Sequence, residues 1–387
     1  MSWRYLPPVH SPVTPAGLLA ALRALLTGGD RTRRELEAAL LGDLNAGRVV
    51  LTDSGTTALA LAMRSAMEAT GRSHIALPGY GCYDLVTALN ATGAGVVLYD
   101  VDPATLGPDW ESFGAALATA PAAVVVVHLY GLPVDLDRVR TMADQAAVPV
   151  IEDAAQGAGG QWKDRPLGSL GDLSVLSFGR GKGITGGSGG ALLVSRLWQG
   201  TVEAPAGSRR GFRDLILLLA QASMARPAIY RIPASLPFLR LGETVYHEPW
   251  PARPISGVAA AAALVAWRGR TRDAGQRAGV AESVGRLLPR HLPTRVDSGT
   301  PGWLRYPIVL DGHATDPAGA GNGAEVGLMP GYPVPLRSLP SLPTPLSPVA
   351  TPAADRLARA LWTLPTHRWV GVEDLKRLGH LARSGLR

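Results

Sequence analysis

Short apolar segments alternate with helical patterns through the first half of this 387-residue chain. The segment 122–127 is wholly apolar, and similar strand patterns cover 75–77, 95–99 and 149–151. Continuous apolar strands separated by helices are typical of a mostly parallel sheet that is covered on both faces. We therefore predict an α/β fold in which functional residues gather at the carboxyl ends of the strands.

A glycine-dense loop carrying one lysine follows a further apolar strand, 173–178. Lys182 is one of only three lysines among 38 basic residues, so arginine is the chain's usual source of positive charge. Arginine cannot replace lysine where a nucleophilic amine is needed, because its guanidinium stays protonated. Lys182 is therefore a candidate for covalent chemistry such as a Schiff base. A solvated loop lysine is the alternative interpretation.

The segment Ser54-Gly-Thr-Thr57 lies between a strand, 49–52, and a helix, 58–69. Free N–H groups and hydroxyls at a helix N-terminus favour a bound phosphate. An ordinary capped helix is the alternative. Thr56, His128, Asp153 and Lys182 each follow a predicted strand, so a single crevice could contain all four.

The composition favours a cytoplasmic enzyme with an anionic ligand. The net charge of +7 indicates phosphate groups, nucleotides, a membrane surface or nucleic acid as partners. The basic residues are scattered and form no nucleic-acid-binding motif, so we expect no nucleic acid partner. No metal-ligand spacing occurs, and we expect no metal site. Cys82 is the one cysteine, which fits a reducing cytosol, and we find neither a secretory signal nor an apolar run of the ~20 residues that span a bilayer.

We predict two domains, a large α/β domain over 1–250 and a smaller C-terminal domain over 251–387 that begins with a long helix at 255–288. An insertion occupies about 211–250. Its part 211–241 is apolar with interspersed arginines, which is typical of an interfacial helix and indicates a candidate peripheral membrane contact. A helical insertion packed on the main domain or on a partner subunit is the alternative.

Local signals place further elements. Thr32 and Glu35 have the spacing of a capping box, which predicts a helix start at Thr32. We interpret 330–352 as proline-rich irregular chain and expect the last helices at 353–361 and 372–384.

These features together suit one cofactor. A Schiff-base lysine needs a carbonyl partner, the Thr56 and Thr57 turn offers a phosphate site, and Asp153 ends a central strand. Pyridoxal 5′-phosphate (PLP) supplies an aldehyde, a phosphate and a ring nitrogen that an aspartate keeps protonated.

Several motifs in this order resemble the DegT/DnrJ/EryC1/StrS family of fold-type I, PLP-dependent sugar aminotransferases. The resemblance is dense over residues 45–195 and loose beyond. The matching segments are SGTT at 54–57, DVDPATL at 100–106, HLYG at 128–131, IEDAAQ at 151–156, GSLGD at 168–172, Ser177-Phe178 with Lys182, GSGG at 187–190 and LPTH at 364–367.

The resemblance implies a large domain with a mostly parallel seven-stranded sheet, a smaller α+β domain, and an active site built at a homodimer interface. By position, Lys182 would form the Schiff base and act as catalytic acid and base. The other implied cofactor-binding residues are Asp153 at the ring nitrogen, Gln156 at the ring hydroxyl, and Ser177, Thr56 and Thr57 at the phosphate.

Two departures from the family pattern stand out. The ring-stacking aromatic, four residues after Pro78, is replaced by Cys82, with Tyr80 and Tyr83 nearby. Either a tyrosine stacks on the ring or the thiol packs against it. The family's G-x-N-x-R segment, which reaches the neighbouring subunit, is not recognisable before Ile255.

The resemblance implies an aminotransferase that moves an amino group from glutamate or glutamine to a keto group, most readily that of a nucleotide-linked keto-sugar in polysaccharide or secondary-metabolite biosynthesis. A deoxysugar dehydratase is an alternative, although the family's dehydratases replace the Schiff-base lysine with histidine and this chain keeps Lys182. A non-catalytic regulator or membrane-associated protein on the same fold is the other.

Overall fold

The computed structural model describes residues 5–234, 244–288, 298–310, 321–346 and 349–384. Its strands are β1 Arg48–Thr52, β2 His74–Pro78, β3 Gly95–Tyr99, β4 Ala123–Val127, β5 Val150–Asp153, β6 Gln161–Trp162, β7 Arg165–Pro166, β8 Leu173–Ser177, β9 Gly190–Val194, β10 Gly299–Thr300, β11 Arg305–Val309, β12 Met329–Pro330 and β13 Leu361–Pro365. Its helices are α1 Pro15–Thr27, α2 Asp30–Leu44, α3 Gly55–Thr70, α4 Asp84–Asn90, α5 Trp110–Ala118, α6 Leu136–Gln145, α7 Phe212–Met224, α8 Pro227–Ala234, α9 Gly257–Leu287, α10 Gly321–Glu325, α11 Pro352–Ala360 and α12 Val372–Ser384.

The large sheet has seven strands in the order β1-β9-β8-β5-β4-β2-β3. The pairs from β8 to β3 are parallel, and β9 runs antiparallel to both of its neighbours. Alternate residues of β4 belong to different core clusters: Val125 packs in one, whereas Val124 and Val126 pack in another. Both faces of the sheet are therefore covered, and the predicted mostly parallel α/β fold is confirmed.

The C-terminal part contains a second, antiparallel sheet in the order β11-β13-β12. The sequence patterns did not predict β13, which lies at the centre of this sheet. The first half of α9 packs in a core cluster with α2, while Ala281 and Val284 near its end pack with the C-terminal sheet. This single helix spans both parts, and the predicted boundary at 250/251 stays a prediction.

The segment 211–234 forms α7 and α8, which pack on the main body of the chain. Asp214 accepts a hydrogen bond from the Ser188 hydroxyl (2.7 Å), and Gln221 accepts one from Thr185 (3.0 Å). Phe212 and Ile216 remain exposed on the outer face. Residues 235–241 of the proposed membrane-contacting segment lie outside the described residues, and that contact stays a prediction. Within the described ranges, we find no helix with the length and apolar character of a membrane span.

The predicted helix start at Thr32 is wrong. Helix α2 begins at Asp30, after Gly29 in a left-handed conformation (φ 75°). The Thr32 hydroxyl donates to the Gly29 carbonyl (2.8 Å) from within the first turn and does not act as an N-cap. Gly29 also lies against Gly257, where a Cβ would be 2.3 Å from the Gly257 Cα, so close helix packing fixes this turn.

Candidate active site at the C-terminal edge of the large sheet

A cavity of about 500 Å³ lies where the strands of the large sheet end. Its volume is in the range typical of small-molecule sites. It is lined by predicted residues and by residues that the sequence did not indicate; the ones used below are Asp53, Ser54, Gly55, Thr56, Cys82, Asp84, Tyr130, Gln156, Ser177, Arg180, Lys182, Arg305 and Tyr332.

The N-terminus of α3 forms one end of this cavity. Ser54 is its N-cap, with extended backbone, and its hydroxyl accepts a hydrogen bond from the Thr57 N–H (3.0 Å). The first N–H groups of a helix have no acceptor within it, which makes this end attractive to an anion. Ser177 lies against it, since a Cβ on Gly55 would come within 2.8 Å of the Ser177 Cβ. Thr56 and Ser177 thus lie together beside a helix N-terminus.

Thr57 differs from its predicted role. Its side chain is buried and does not line the cavity. Its hydroxyl donates to the Asp53 carboxylate (2.7 Å) and lies 3.0 Å from the Ser54 hydroxyl. Thr57 therefore braces the turn that presents Thr56, and its hydroxyl is engaged away from the predicted phosphate.

Lys182 lines the cavity from a loop that hydrogen bonds hold in place. Phe178 and Gly189 close the loop with a backbone hydrogen bond (2.8 Å). The Gly181 N–H donates to the Ser11 hydroxyl (3.0 Å), and its φ of 73° and the proximity of Val9 leave no room for a side chain there. No group in the described part of the chain pairs with the Lys182 amine. The fold therefore presents a free amine to the cavity.

Asp153 lies at the end of β5 and does not line the cavity, but it is close enough to Lys182 for the two charges to interact. Its carboxylate is buried and accepts a hydrogen bond from the Ala155 N–H (3.0 Å). Burial raises the pKa of Asp153, and the Lys182 charge opposes that rise. A buried, more basic carboxylate is suited to share a proton with a heterocyclic nitrogen.

Gln156 connects two tyrosines at the cavity wall. Its side-chain oxygen accepts from the Tyr130 N–H (2.8 Å), and its amide group donates to the Tyr332 hydroxyl (2.8 Å). The two tyrosine rings stack with centroids 6.0 Å apart. Tyr130 has a left-handed backbone (φ 55°), a conformation that bulky residues adopt only when the surroundings impose it. The orientation of the Gln156 amide is therefore fixed from both sides.

The two candidates for the ring-stacking position have different environments. Tyr80 is fully buried, does not line the cavity, and its hydroxyl accepts from the Tyr332 N–H (2.9 Å). The structure therefore makes Tyr80 a core residue, contrary to the prediction that it lies at the cofactor. Cys82 does line the cavity. Burial, reinforced by the Asp84 charge, raises the pKa of the Cys82 thiol to about 12.

Residues 18–196 match the model of the DegT/DnrJ/EryC1/StrS aminotransferase family. This segment is a little under half of the chain, and over it the chain is similar to that family. The chain is also similar along its whole length to solved structures: aminotransferase TlmJ from Streptoalloteichus hindustanus is 26% identical, with a TM-score of 0.73 and 99% of both chains covered. The sugar aminotransferase CalS13 from Micromonospora echinospora shares the fold at 23% identity, with a TM-score of 0.75 over 98% of this chain and 100% of the other.

Curated relatives are similar to this chain over shorter segments. L-glutamine:2-deoxy-scyllo-inosose aminotransferase from Streptoalloteichus tenebrarius is 40% identical over 142 residues, 37% of this chain and 33% of the relative. UDP-N-acetyl-3-dehydro-alpha-D-glucosamine 3-aminotransferase from Acidithiobacillus ferrooxidans is 33% identical over 162 residues, 42% of this chain and 44% of the relative. The matched segment thus spans about a third to less than half of these relatives.

The sequence did not indicate the residues from the C-terminal part of the chain that line the cavity. Arg305, at the start of β11, is buried and donates to the Thr363 hydroxyl (2.7 Å) and to the carbonyls of Pro8, Gly327 and Thr363. Burial lowers the pKa of Arg305 to about 10. An arginine that opens an otherwise apolar strand was the one available signal. No sequence signal marked Tyr332, because its role depends on its contact with Gln156.

Proposed function

We propose that this chain is a PLP-dependent aminotransferase that moves an amino group from glutamine or glutamate to the keto group of a sugar. The observation that carries the proposal is the free Lys182 amine in the cavity that also contains the α3 N-terminus. A nucleophilic amine beside an anion site, with a buried carboxylate nearby, is the donor set that PLP requires.

The residues present fit the two ends of PLP. Thr56, Ser177 and the α3 N-terminus would hold the phosphate, because that end offers hydroxyls and helix N–H groups. Asp153 would hold the proton at the ring nitrogen, and Gln156 would contact the ring hydroxyl. When bound, PLP supplies an aldehyde that condenses with amines and a ring that withdraws electrons from the adjacent carbon.

Lys182 would have two roles in this site. Its amine would hold the cofactor as a nucleophile, which arginine could not do. The same amine would also serve as the acid and base that moves a proton at the amino donor's α-carbon. Cofactor binding needs no rupture of an existing ion pair, since the Lys182 amine has no partner in the described chain.

The donor and acceptor follow from the relatives and from the charge of the cavity. Similar proteins are named for L-glutamine as donor and for an inosose or a UDP-linked keto-glucosamine as acceptor. Arg180 lines the cavity, and its positive charge would attract a diphosphate. We therefore propose a nucleotide-linked keto-sugar as acceptor. The cytoplasmic location and the homodimer implied by the family resemblance stay predictions.

The test is an absorbance spectrum of the protein with added PLP, before and after L-glutamine or L-glutamate. Lys182→Arg keeps the charge but removes the nucleophile, and Lys163→Arg is the matched control because Lys163 is exposed and pairs with Asp137 (2.7 Å). We expect a lysine-bound PLP band in the wild type and in the control, and the amino donor should shift this band toward the ultraviolet. The band should be lost in Lys182→Arg.

The acceptor is identified by adding candidate keto compounds after the amino donor and measuring which one restores the PLP band. A UDP-linked keto-sugar and scyllo-inosose are the two probes, and recovery with the former supports the nucleotide-linked substrate. Failure to form the band would refute the cofactor assignment and favour a non-catalytic family member. A band that neither amino donor changes would refute transamination with these donors while leaving the cofactor in place.

A further inference from the structure

A second, smaller cavity of about 50 Å³ lies behind the loop that carries Lys182. Gly181 and Gly183 line it, and Lys182 between them lines the large cavity. Its remaining walls come from the N-terminal segment 8–14, from α9, from Leu304 and Arg305 at β11 and from the chain after β13, and Val9, Gly181, Leu304 and Arg305 line both cavities. Four distant parts of the sequence therefore meet beside the predicted catalytic loop.

Positive charge dominates the walls of this cavity. Four arginines and one acidic residue line it: Arg272, Arg277, Arg305, Arg368 and Asp273. Asp273 is already paired with Arg272 (3.2 Å). The other three arginines have no carboxylate within ion-pair distance in the described chain. Arg277 and Arg305 are buried, which makes their lack of a carboxylate unusual because buried charges are ordinarily paired, whereas Arg368 is exposed.

Arg277 is, with Arg305, one of the two buried arginines in these walls. Its guanidinium donates to the carbonyls of Gly302 (2.7 Å) and Ala158 (2.6 Å). Burial lowers the pKa of Arg277 to about 10, and the charge of Asp273 opposes that shift only in part. An anion in the cavity would offset the cost of burying this charge.

His10 and His367 complete the cavity, with ring centroids 5.3 Å apart. The His10 Nδ1 atom is buried and has no hydrogen-bond partner among the described residues. Burial, with the charges of His367, Arg368 and Arg277, lowers the pKa of His10 to about 3. A polar atom left without a partner beside surplus positive charge is what an oxyanion ligand would satisfy.

We propose that this cavity binds one small oxyanion, a phosphate or a carboxylate, and that the anion stabilises the packing behind the Lys182 loop. The volume would hold roughly three to five waters, since each needs about 10–15 Å³, and a tetrahedral oxyanion or a carboxylate group is of that size. The anion would join His10 on the N-terminal segment, Arg277 on α9 and Arg368 after β13. It would thereby hold the segment that covers Gly181.

The experiment is isothermal titration of the PLP-saturated full-length protein with sodium phosphate, sodium sulfate and sodium acetate at constant ionic strength. Arg368→Gln and Arg272→Gln change exposed residues and leave the core intact. Arg268→Gln, an exposed residue about one turn earlier on α9, is the matched control. Ser177→Ala distinguishes this cavity from the predicted phosphate site of the cofactor.

We expect binding of at least one oxyanion, weakened about tenfold or more by Arg368→Gln and Arg272→Gln and unchanged in Arg268→Gln and Ser177→Ala. The anion that binds should also raise the unfolding midpoint of the wild type more than that of Arg368→Gln. Binding of phosphate and sulfate alone would identify a tetrahedral oxyanion, and binding of acetate would identify a carboxylate. No binding by any probe, or binding lost only in Ser177→Ala, would overturn the proposal without affecting the cofactor assignment.

Discussion

The side-chain amide of Gln156 donates a hydrogen bond to the Tyr332 hydroxyl across 2.8 Å, joining residues 176 positions apart. Gln156 follows a central strand of the large sheet, and Tyr332 follows β12 of the C-terminal sheet. The contact orients a predicted cofactor ligand from a part of the chain that the sequence motifs did not include. It also brings the two sheets to one wall of the cavity.

Tyr332→Phe should weaken PLP binding while costing little stability. The change removes one hydrogen bond, worth about 1 kcal/mol, and frees the Gln156 amide to rotate. We expect PLP affinity to fall several-fold, up to roughly tenfold. Tyr99→Phe is the control, because it also removes one buried tyrosine hydrogen bond, to the Val125 carbonyl (2.7 Å), and Tyr99 does not line the cavity. Equal PLP affinity in the two variants would contradict a positioning role for Tyr332.

Glu152, beside Asp153 in the sequence, forms a different kind of site. Its buried carboxylate accepts hydrogen bonds from the His128 ring (3.0 Å), the Ser174 hydroxyl (3.0 Å) and three backbone N–H groups of residues 168–171. Burial alone would raise the pKa of Glu152, but these hydrogen bonds, first among them that from His128, outweigh burial and lower it. The side chain therefore organises the turn before β8.

Glu152→Gln should destabilise the fold by about 3 kcal/mol near neutral pH, since an amide NH₂ cannot accept hydrogen bonds from the N–H groups it would face. A lowered folded-state pKa means that the carboxylate stabilises the fold above its unfolded pKa of about 4.3. That stabilisation is lost as the pH falls below this value through the folded pKa. Denaturant unfolding from pH 7 to pH 3 should therefore show the difference from wild type shrinking with acid, whereas the exposed Glu282→Gln should show no such difference at either pH.

The sequence patterns located the large sheet closely because its strands carry their signal locally. Helix α5 also carries its signal locally, since the Asp109 carboxylate caps it by accepting from the Ser112 N–H (2.9 Å). The apolar run 122–127 became β4 with one residue fewer. The sequence could predict the cavity residues for the same reason. Residues such as Lys182, Cys82 and Gln156 each follow a strand, and parallel strands end at one edge of the sheet.

Sequence patterns could not predict the features that depend on contacts between distant residues. Strand β13 is five residues long and exists because it pairs with β11 and β12 on either side. Thr57 looked like a phosphate ligand until its hydroxyl was seen to donate to Asp53. Tyr80 lay two residues from the ring-stacking position and was a candidate for it, but its side chain is buried in the core. In each case tertiary packing decided the role of a residue whose local pattern allowed two.

Asp100→Ala should loosen the C-terminal part selectively. The Asp100 carboxylate follows β3 and accepts hydrogen bonds from the N–H groups of Ala353 and Ala354 (2.8 Å each), so it caps α11 from the far end of the chain. Loss of a helix cap costs about 1–2 kcal/mol. Hydrogen exchange should become faster at residues 353–354. Asp109→Ala removes a local cap on α5 of comparable strength and should leave exchange in α11 unchanged; equal effects there would argue against a long-range cap.

Cys82 should be almost inert toward thiol reagents in the folded protein, although it lines the cavity. A pKa raised to about 12 leaves a thiolate fraction at pH 8 that is on the order of a thousandfold below that of an ordinary cysteine. Because the chain has a single cysteine, the rate of colour release from an aromatic disulfide reagent reports this thiol alone. Folded protein should react about a thousandfold more slowly than protein in urea, and Asp84→Asn should react faster than wild type because the neighbouring carboxylate raises the thiol pKa. A folded-state rate equal to that in urea would mean that the thiol is solvated, and Cys82 could not then pack as an apolar group against a cofactor ring.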